Sequence, residues 1–224
     1  MDQGAGGARG HSSRKFRTLT PNPSLPQGDF LWSPTGEGLP GDEALHVPDI
    51  RIETDRLILR PPRAEDFNAY AANMADAEAA RFIGGQQARA AAWRGFLSLA
   101  GAWSIQGFAM FSVIEKSSGQ WVGRLGPWHP VDWPGTEVGW GLARAAWGNG
   151  YALEGCVAAI DWTFDQLGWS EMIHSIHPDN HASQALAQRL GSTCRGPGKL
   201  PAPYEDSPTE IWAQTREQWR RRRA

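Results

Sequence analysis

The residues of this chain best placed for chemistry lie between positions 136 and 152, where an apolar stretch leads through a glycine turn into a helical pattern. Gly148 and Gly150 allow the backbone to adopt positive φ angles and to approach a ligand closely. The first free N–H groups of the following helix point outward, with the positive end of the helix dipole behind them. This arrangement predicts a site for a phosphate or pyrophosphate group.

The glycine spacing differs from that of two common nucleotide-binding motifs. The phosphate loop Gly-x-x-x-x-Gly-Lys-Ser/Thr needs a lysine after the glycines, and none follows here. In the dinucleotide motif Gly-x-Gly-x-x-Gly, the third glycine position would fall on Leu153. The sequence therefore disfavours a nucleoside triphosphate or a dinucleotide as the ligand.

The elements that position this turn alternate between strand and helix patterns. Strands are predicted over residues 57–60, 108–115, 121–128, 136–142 and 171–176, with two further strands at 193–197 and 209–214. Helices are predicted over residues 64–73, over 88–102, from the turn to Leu167, and from a cap at Asp179 or Asn180 to Leu190. Gly168 and Gly191 stand where the last two helices should end. The pattern predicts a mixed α/β layer fold.

Composition favours one globular domain in a cytoplasmic setting. The 224 residues include 41% hydrophobic residues, enough for a full core, and carry a formal net charge of −2. That charge gives no general attraction to nucleic acid or acidic membranes, and no apolar run approaches the ~20 residues of a membrane helix. Cys156 and Cys194 form neither a disulfide framework nor a metal pair, and we expect both thiols to be buried.

The two ends of the chain differ from the middle in composition. Residues 1–48 are rich in proline, glycine and serine without apolar periodicity, so we expect a disordered extension before a domain at 49–224. Arg220 to Arg223 are expected to form a solvated terminus, with an acidic partner as the alternative. His177 and His181 are four residues apart but flank a proline turn without the glutamate of a helical zinc site, so no metal is expected.

Five short motifs follow one another in an order and spacing that resemble the GNAT acetyltransferase superfamily. They are Glu53-Thr-Asp-Arg-Leu-Ile-Leu-Arg-Pro, Gly123-Arg-Leu-Gly, Glu137-Val-Gly-Trp, Trp147-Gly-Asn-Gly-Tyr-Ala and His177-Pro-Asp-Asn-His-Ala-Ser. The resemblance covers roughly residues 52–215 and is strongest to the branch of ribosomal-protein alanine acetyltransferases. It implies a central mixed, mostly antiparallel sheet with flanking helices. In that sheet the strand of Glu137 and the strand at 171–176 are parallel neighbours that splay around the pantetheine arm of acetyl-CoA.

The resemblance also implies acetyl-CoA as cosubstrate, with its pyrophosphate on the pattern Gln/Arg-x-x-Gly-x-Gly/Ala. Gly148 and Gly150 match this pattern, whereas Ala145 stands at the Gln/Arg position with Arg144 beside it. This departure removes a side-chain contact and keeps the backbone cradle. The residues expected at the coenzyme are Trp140, Leu142, Trp147, Gly148, Asn149, Gly150, Tyr151, Ala152 and Asn180.

Two side chains are candidates for the proton transfers of acetyl transfer. By resemblance, Glu137 is the general base for the amine, and Ser183, in an Asn-x-x-Ser element with Asn180, supplies a proton to the departing thiolate. A backbone N–H near Trp140 is the expected oxyanion donor. The alternatives are an exposed strand carboxylate at Glu137 and a serine that bonds its own helix backbone at Ser183.

Two classes of function follow. The first is an acetyl-CoA-dependent N-acetyltransferase that acts directly on a primary amine, whether a protein N-terminus, an antibiotic, a polyamine or a small metabolite. The second is a non-catalytic coenzyme A-binding or regulatory module with the same fold, which the departure at Ala145 keeps open. The expected partner is an amine acceptor of unknown identity, and no binding to nucleic acid or membranes is expected. A homodimer is possible.

Overall fold

The computed structural model of the protein describes residues 48–224, and the expected disorder of the N-terminal extension falls on residues that lie, except for Pro48, outside the described part. The strands are β1 (Ile52–Glu53), β2 (Leu57–Arg60), β3 (Phe111–Glu115), β4 (Trp121–Trp128), β5 (Glu137–Leu142), β6 (Glu171–Ile176), β7 (Thr193–Gly198) and β8 (Thr209–Thr215). The helices are α1 (Phe67–Ala75), α2 (Ala77–Ala80), α3 (Arg89–Gln106), α4 (Tyr151–Gln166), α5 (His181–Leu190) and α6 (Arg216–Arg223).

All eight strands belong to one sheet, in the order β1-β2-β3-β4-β5-β6-β8-β7. Neighbouring strands run antiparallel throughout, except for the parallel pair β5 and β6. The helix α4 connects these two strands, as a parallel pair requires a crossover. The predicted mixed α/β fold with a mostly antiparallel sheet is confirmed.

Helices cover the middle of this sheet on both faces, because successive side chains of a strand point to opposite sides. One face packs on α4, and the buried residues of this contact include Leu125, Val138, Cys156, Ile160 and Phe164. A second cluster joins α1 and α3 to the start of β3 and includes Tyr70, Met74, Phe96, Leu99 and Met110. The two clusters hold β4 and β5 from both sides and so fix the position of the glycine turn that follows β5.

Three helix ends show how far local signals reach. Asn180 caps α5, because its side chain accepts a hydrogen bond from the Ser183 N–H at 3.1 Å, and Gly191 ends this helix with φ of 97°. The α3 helix runs beyond the predicted end at residue 102 to Gln106. Its stop is Gly107, whose φ of 77° suits a glycine at a helix C-terminus.

The C-terminal part of the chain contains a helix that the sequence did not predict. Residues 220–223 are exposed, as expected for a solvated terminus, but they belong to the helix α6. This helix is docked through Trp219, which is only 2% exposed and whose indole N–H donates to Asp161 Oδ1 at 2.7 Å. A capping box of Thr215 and Gln218 starts this helix. The expectation that both thiols are buried is wrong for one of them: Cys156 is buried, but Cys194 on β7 is exposed, since β7 forms the edge of the sheet.

Candidate active site

The parallel strands β5 and β6 meet at one point and then separate. In the described chain their only paired residues are Glu137 and Ile173, and the Ile173 N–H donates to the Thr136 carbonyl at 2.9 Å. β5 is paired with β4 along its whole length of six residues, and β6 is likewise paired with β8 along its six residues. Both strands therefore continue as strands while they diverge, which confirms the predicted splay.

The splay leaves facing peptide groups without the ladder partners of a regular parallel pair. Two side chains take their place. The Val138 carbonyl lies 2.6 Å from His174 Nδ1, and the Ser175 N–H donates to Glu137 Oε1 at 3.3 Å. Glu137 and His174 thus hold the point at which the two strands begin to separate.

Glu137, the predicted base, is a buried carboxyl with 6% exposure. Its Oε2 accepts a hydrogen bond from the indole N–H of Trp133. Burial raises the pKa of Glu137 above its ordinary value and outweighs the hydrogen bonds from Trp133 and Ser175, which favour the charged form. The alternative of an exposed strand carboxylate is wrong, and a carboxyl with a raised pKa is suited to accept a proton.

His174 is a residue of this site that the sequence did not single out for a role. It is 1% exposed, and burial lowers its pKa to about 4, against a smaller opposing effect of its bond to Val138. The ring is therefore neutral near pH 7. Because a carbonyl only accepts, Nδ1 carries the proton and Nε2 accepts from the Ser192 hydroxyl at 2.9 Å. In the sequence of β6, His174 occupies an inward-facing position like that of any core residue, so nothing in the neighbouring residues indicates its role.

Trp140 and Ser183 face each other across the widening gap. The indole N–H of Trp140 donates to Ser183 Oγ at 3.1 Å, and the Trp140 ring centroid lies 4.8 Å from that of His174. The backbone N–H of Trp140 also faces the gap. Alternate peptide groups of a strand point to the same edge, and the Val138 carbonyl, two residues earlier, points to β6.

The glycine turn between β5 and α4 has the backbone conformation that its sequence suggests. Gly148 and Gly150 both have φ of 77°, which other residues rarely adopt. A Cβ at Gly148 would meet no atom within 4 Å, so the turn is open to solvent. The indole N–H of Trp147, a side chain with 50% exposure, donates to the Leu142 carbonyl at 3.0 Å and ties the turn to the end of β5.

Two arginines lie near this turn in different roles. Arg56 donates to the Asn149 carbonyl at 2.9 Å and pairs with Glu154 in the first turn of α4 at 2.7 Å. The sequence did not predict this contact, because Arg56 precedes Asn149 by 93 residues. Arg144, next to Ala145, pairs instead with Asp76 at 3.0 Å. Arg56, and not Arg144, therefore brings a guanidinium group to the turn.

A cavity of about 780 Å³ opens beside the splayed strands. Of the predicted site residues, it is lined by Glu137, Trp140, Asn180 and Ser183. The other predicted residues do not line it: Leu142, Trp147, Gly148, Asn149, Gly150, Tyr151 and Ala152 lie at the end of β5, in the turn and at the start of α4. The Tyr151 hydroxyl donates to Glu115 Oε1. The predicted site thus has two parts, an open cavity whose carboxyl Glu137 is buried and an exposed turn.

Residues 48–224 contain no group of three or more histidine, cysteine, aspartate or glutamate side chains suited to hold a metal ion. In the same residues no helix is both long and apolar enough to span a bilayer.

Comparison with known families identifies this arrangement. The model of the acetyltransferase (GNAT) domain matches residues 56–193, which include the splayed strands, the glycine turn and the start of α5. The chain belongs to the GNAT acetyltransferase family. Enzymes of this family use acetyl-CoA as cosubstrate, and the resemblance drawn from the five motifs is confirmed.

Individual relatives agree with this GNAT membership. An acetyltransferase structure from Agrobacterium tumefaciens str. C58 is 30% identical, with a TM-score of 0.67 over 79% of this chain and 100% of its own. The ribosomal-protein-S5-alanine acetyltransferase of Vibrio fischeri is 17% identical, with a TM-score of 0.59 over 76% of this chain and 99% of its own, and shares the fold. The uncharacterized protein YkkB of Bacillus subtilis (strain 168) is 32% identical over 38% of this chain, and the match spans 51% of YkkB.

Proposed function

We propose that this protein transfers an acetyl group directly from acetyl-CoA to a primary amine. The observation that carries the proposal is the buried Glu137 carboxyl at the point where β5 and β6 separate, beside a cavity that also contains Ser183. Each chemical requirement of the transfer has a candidate group at this place.

The first requirement is a neutral amine. An α-amine with a pKa near 8 costs only about 1 kcal/mol to deprotonate at pH 7, whereas a lysine near 10.4 costs roughly 4 to 5 kcal/mol. Glu137 is the proposed base, acting directly or through water. Its raised pKa lessens the difference between its own proton affinity and that of the amine, and this favours proton transfer.

The second requirement is a donor for the developing oxyanion. The Trp140 N–H lies on the edge of β5 that the splay leaves unpaired, and we assign the role to it. A backbone donor on a strand is held by the sheet, so it needs little reorganisation during the reaction. No side chain is required for this step.

The third requirement is a proton for the departing thiolate, and Ser183 is the proposed donor. Its Oγ already accepts the Trp140 indole N–H, which fixes the oxygen and leaves the hydroxyl proton free to be donated elsewhere. Asn180, the α5 cap, sets the position of Ser183 through the hydrogen bond to its N–H.

The glycine turn is the proposed pyrophosphate site. Gly148 and Gly150 hold the turn open at the start of α4, where free N–H groups and the helix dipole favour an anion. Asn149, Tyr151 and Ala152 complete this segment, and Trp147 and Leu142 connect it to β5. Arg56, which also pairs with Glu154, brings a guanidinium group to the Asn149 carbonyl of this turn.

The test is release of free thiol from acetyl-CoA in the presence of a panel of primary amines. We expect thiol release that depends on the amine, with acetylated amine formed in equal amount. Coenzyme A binding without amine-dependent release from any acceptor would contradict the proposal and favour the non-catalytic module. The Glu137→Gln variant serves as the control for release that does not need the site.

A further inference from the structure

Arg124 lines the cavity without an ion-pair partner among the described residues, and its position bears on the acceptor. In the β4 and β5 register Arg124 lies opposite Gly141, and Trp128 lies opposite Glu137. Because paired and alternate residues share a face of a sheet, Arg124 and Glu137 project from the same face, with Gly139 and Gly141 between them. The guanidinium and the proposed base thus stand at two ends of one stretch of the cavity.

The side chains of Met110 and Ile83 lie against the glycines between these two groups. A Cβ at Gly139 would lie 2.6 Å from Met110 Cε, and a Cβ at Gly141 would lie 3.3 Å from Ile83 Cδ1. Side chains at either position would therefore crowd the cavity. The two glycines thus leave room for Met110 and Ile83, which line the same cavity as Glu137 and Arg124.

The Arg124 guanidinium has only weak contacts and forms no ion pair with a described carboxylate. One of its Nη1 donors reaches Met110 Sδ at 3.1 Å, and its Cζ lies 5.8 Å from the Tyr70 ring centroid. Its Nε is buried without a hydrogen-bond partner, and no carboxylate of residues 48–224 forms an ion pair with it. A guanidinium has five donors and pairs best with a carboxylate in a two-bond fork, so Arg124 has unused donor capacity.

The charge of Arg124 acts on Glu137 as one of the weaker effects that lower the pKa of this carboxyl, but the two groups form no ion pair. Among the described lining residues the carboxylates are Glu137, which is buried, and Asp132, which is exposed at the rim. A second arginine, Arg81, lies at the rim with its Cζ 4.9 Å from the Phe82 ring centroid. The cavity is therefore more favourable to an anionic group than to a second cation.

We infer that Arg124 binds a carboxylate of the acceptor, so that the substrate is a primary amine that also carries a carboxylate. This inference rests on the proposed function of the same site. Polyamines and other polycationic acceptors are disfavoured, because their additional charges would lie near Arg124. The carboxylate could belong to a free amino acid or to an acidic side chain next to a peptide N-terminus.

Matched acceptor pairs test the inference. One arm compares 4-aminobutanoate with 4-aminobutanamide, and the other compares the dipeptide amides Ala-Glu-NH₂ and Ala-Gln-NH₂. The members of each pair carry the same kind of amine and differ in a carboxylate. In at least one arm we expect the carboxylate member to have a KM lower by roughly 10- to 100-fold, the range of a charge-assisted hydrogen bond. The arm that shows the preference identifies the source.

Variants connect this preference to Arg124. Arg124→Gln should remove the preference and leave kcat for the amide member within about threefold, whereas Arg124→Lys should keep part of it, because lysine retains the charge but not the planar fork. Arg63→Gln, at an exposed arginine that does not line the cavity, is the matched control and should leave the preference intact. A preference that survives in Arg124→Gln, or that disappears in Arg63→Gln, would overturn the assignment.

A binding measurement separates this inference from the proposed function. Calorimetric titration of each pair in the presence of coenzyme A needs no turnover, and we expect the carboxylate member to bind wild type more tightly than Arg124→Gln by a similar factor. Turnover of amides without a carboxylate preference would reject the inference and leave the function standing. Selective carboxylate binding without any turnover would reject the function and support the role of Arg124.

Discussion

The glycine turn at residues 147–150 and the cavity around Glu137 are the two parts of the predicted site, and they are built differently. The turn is exposed and offers backbone N–H groups that the positive φ angles of two glycines turn outward. The cavity depends on side chains from distant parts of the chain, and its central carboxyl is 6% exposed. A backbone site binds a group common to every coenzyme A molecule, whereas a side-chain site can select an acceptor and set a pKa.

The largest effect should come from Glu137→Gln, in the cavity. If Glu137 is the base, kcat should fall by roughly 10² to 10⁴ while acetyl-CoA affinity is unchanged, since the turn is not altered. The loss should shrink at high pH, where the amine deprotonates without help. In wild type, kcat/KM should fall as pH drops through a pKa above the 4.5 of an ordinary glutamate.

Measured pH–rate profiles of both proteins test this prediction. Asp132→Asn at the exposed rim is the matched control and should stay within about threefold of wild type, since a surface charge contributes little. If Glu137→Gln is as active as wild type at neutral pH, Glu137 is not the base, and the amine attacks in a form that is already neutral.

The turn can be tested with an isosteric pair, Gly150→Asp and Gly150→Asn. Both residues tolerate a positive φ better than other side chains, so they differ mainly in charge. The new carboxylate would lie near Arg56, whose Nη2 is 3.5 Å from a Cβ at this position, and would repel the pyrophosphate. We expect acetyl-CoA to bind Gly150→Asp about tenfold more weakly than Gly150→Asn.

Calorimetric titration of acetyl-CoA into each Gly150 variant gives the ratio directly. Equal affinities for the two variants and for wild type would show that the phosphates bind elsewhere. The turn would then not be the coenzyme-binding part of the site.

The cavity and the turn should also differ in how they affect stability, because His174 at the cavity is a buried titratable group and residues 147–150 of the turn contain none. The folded pKa of His174, about 4, lies below the ordinary 6.5, so the unfolded chain binds more protons between these values. The contribution of His174 to the free energy of unfolding should therefore be fully present above about pH 6.5 and should decrease as pH drops toward about 4. At neutral pH the free energy of unfolding of His174→Gln should be about 2 kcal/mol below that of wild type. Between pH 7 and pH 5 the free energy of unfolding should decrease less in the variant than in wild type.

Urea unfolding of wild type and His174→Gln at several pH values measures this contribution. Parallel pH dependences in the two proteins would exclude His174 as the group responsible.

The smallest effect should come from Ser183→Ala. A thiolate is already a tolerable leaving group at neutral pH, so loss of the proposed acid should slow kcat by roughly tenfold or less, with little recovery at high pH. Ser98→Ala, an exposed serine on α3, is the matched control and should have no effect. A Ser183→Ala enzyme that recovers at high pH as Glu137→Gln does would assign both residues to the same proton transfer.

The local parts of the site could be predicted from the sequence. Glycines at 148 and 150 predicted positive φ angles before α4, and Asn180 was one of two candidate caps for α5. Both features depend on a few consecutive residues, because φ limits and capping bonds are set within one turn of chain. The family resemblance added the splay of β5 and β6, which no periodicity in the sequence indicates.

What only the tertiary structure decided is the environment of the side chains. The burial that raises the pKa of Glu137, the bond from His174 to Val138 across the splay, and the unpaired guanidinium of Arg124 arise from segments far apart in the sequence. The same limit explains the error at Cys194 and the helix α6 that the sequence did not predict, whose buried Trp219 meets a partner on α4. Desolvation and charge pairing depend on which distant residues approach, and the order of residues along the chain does not state that.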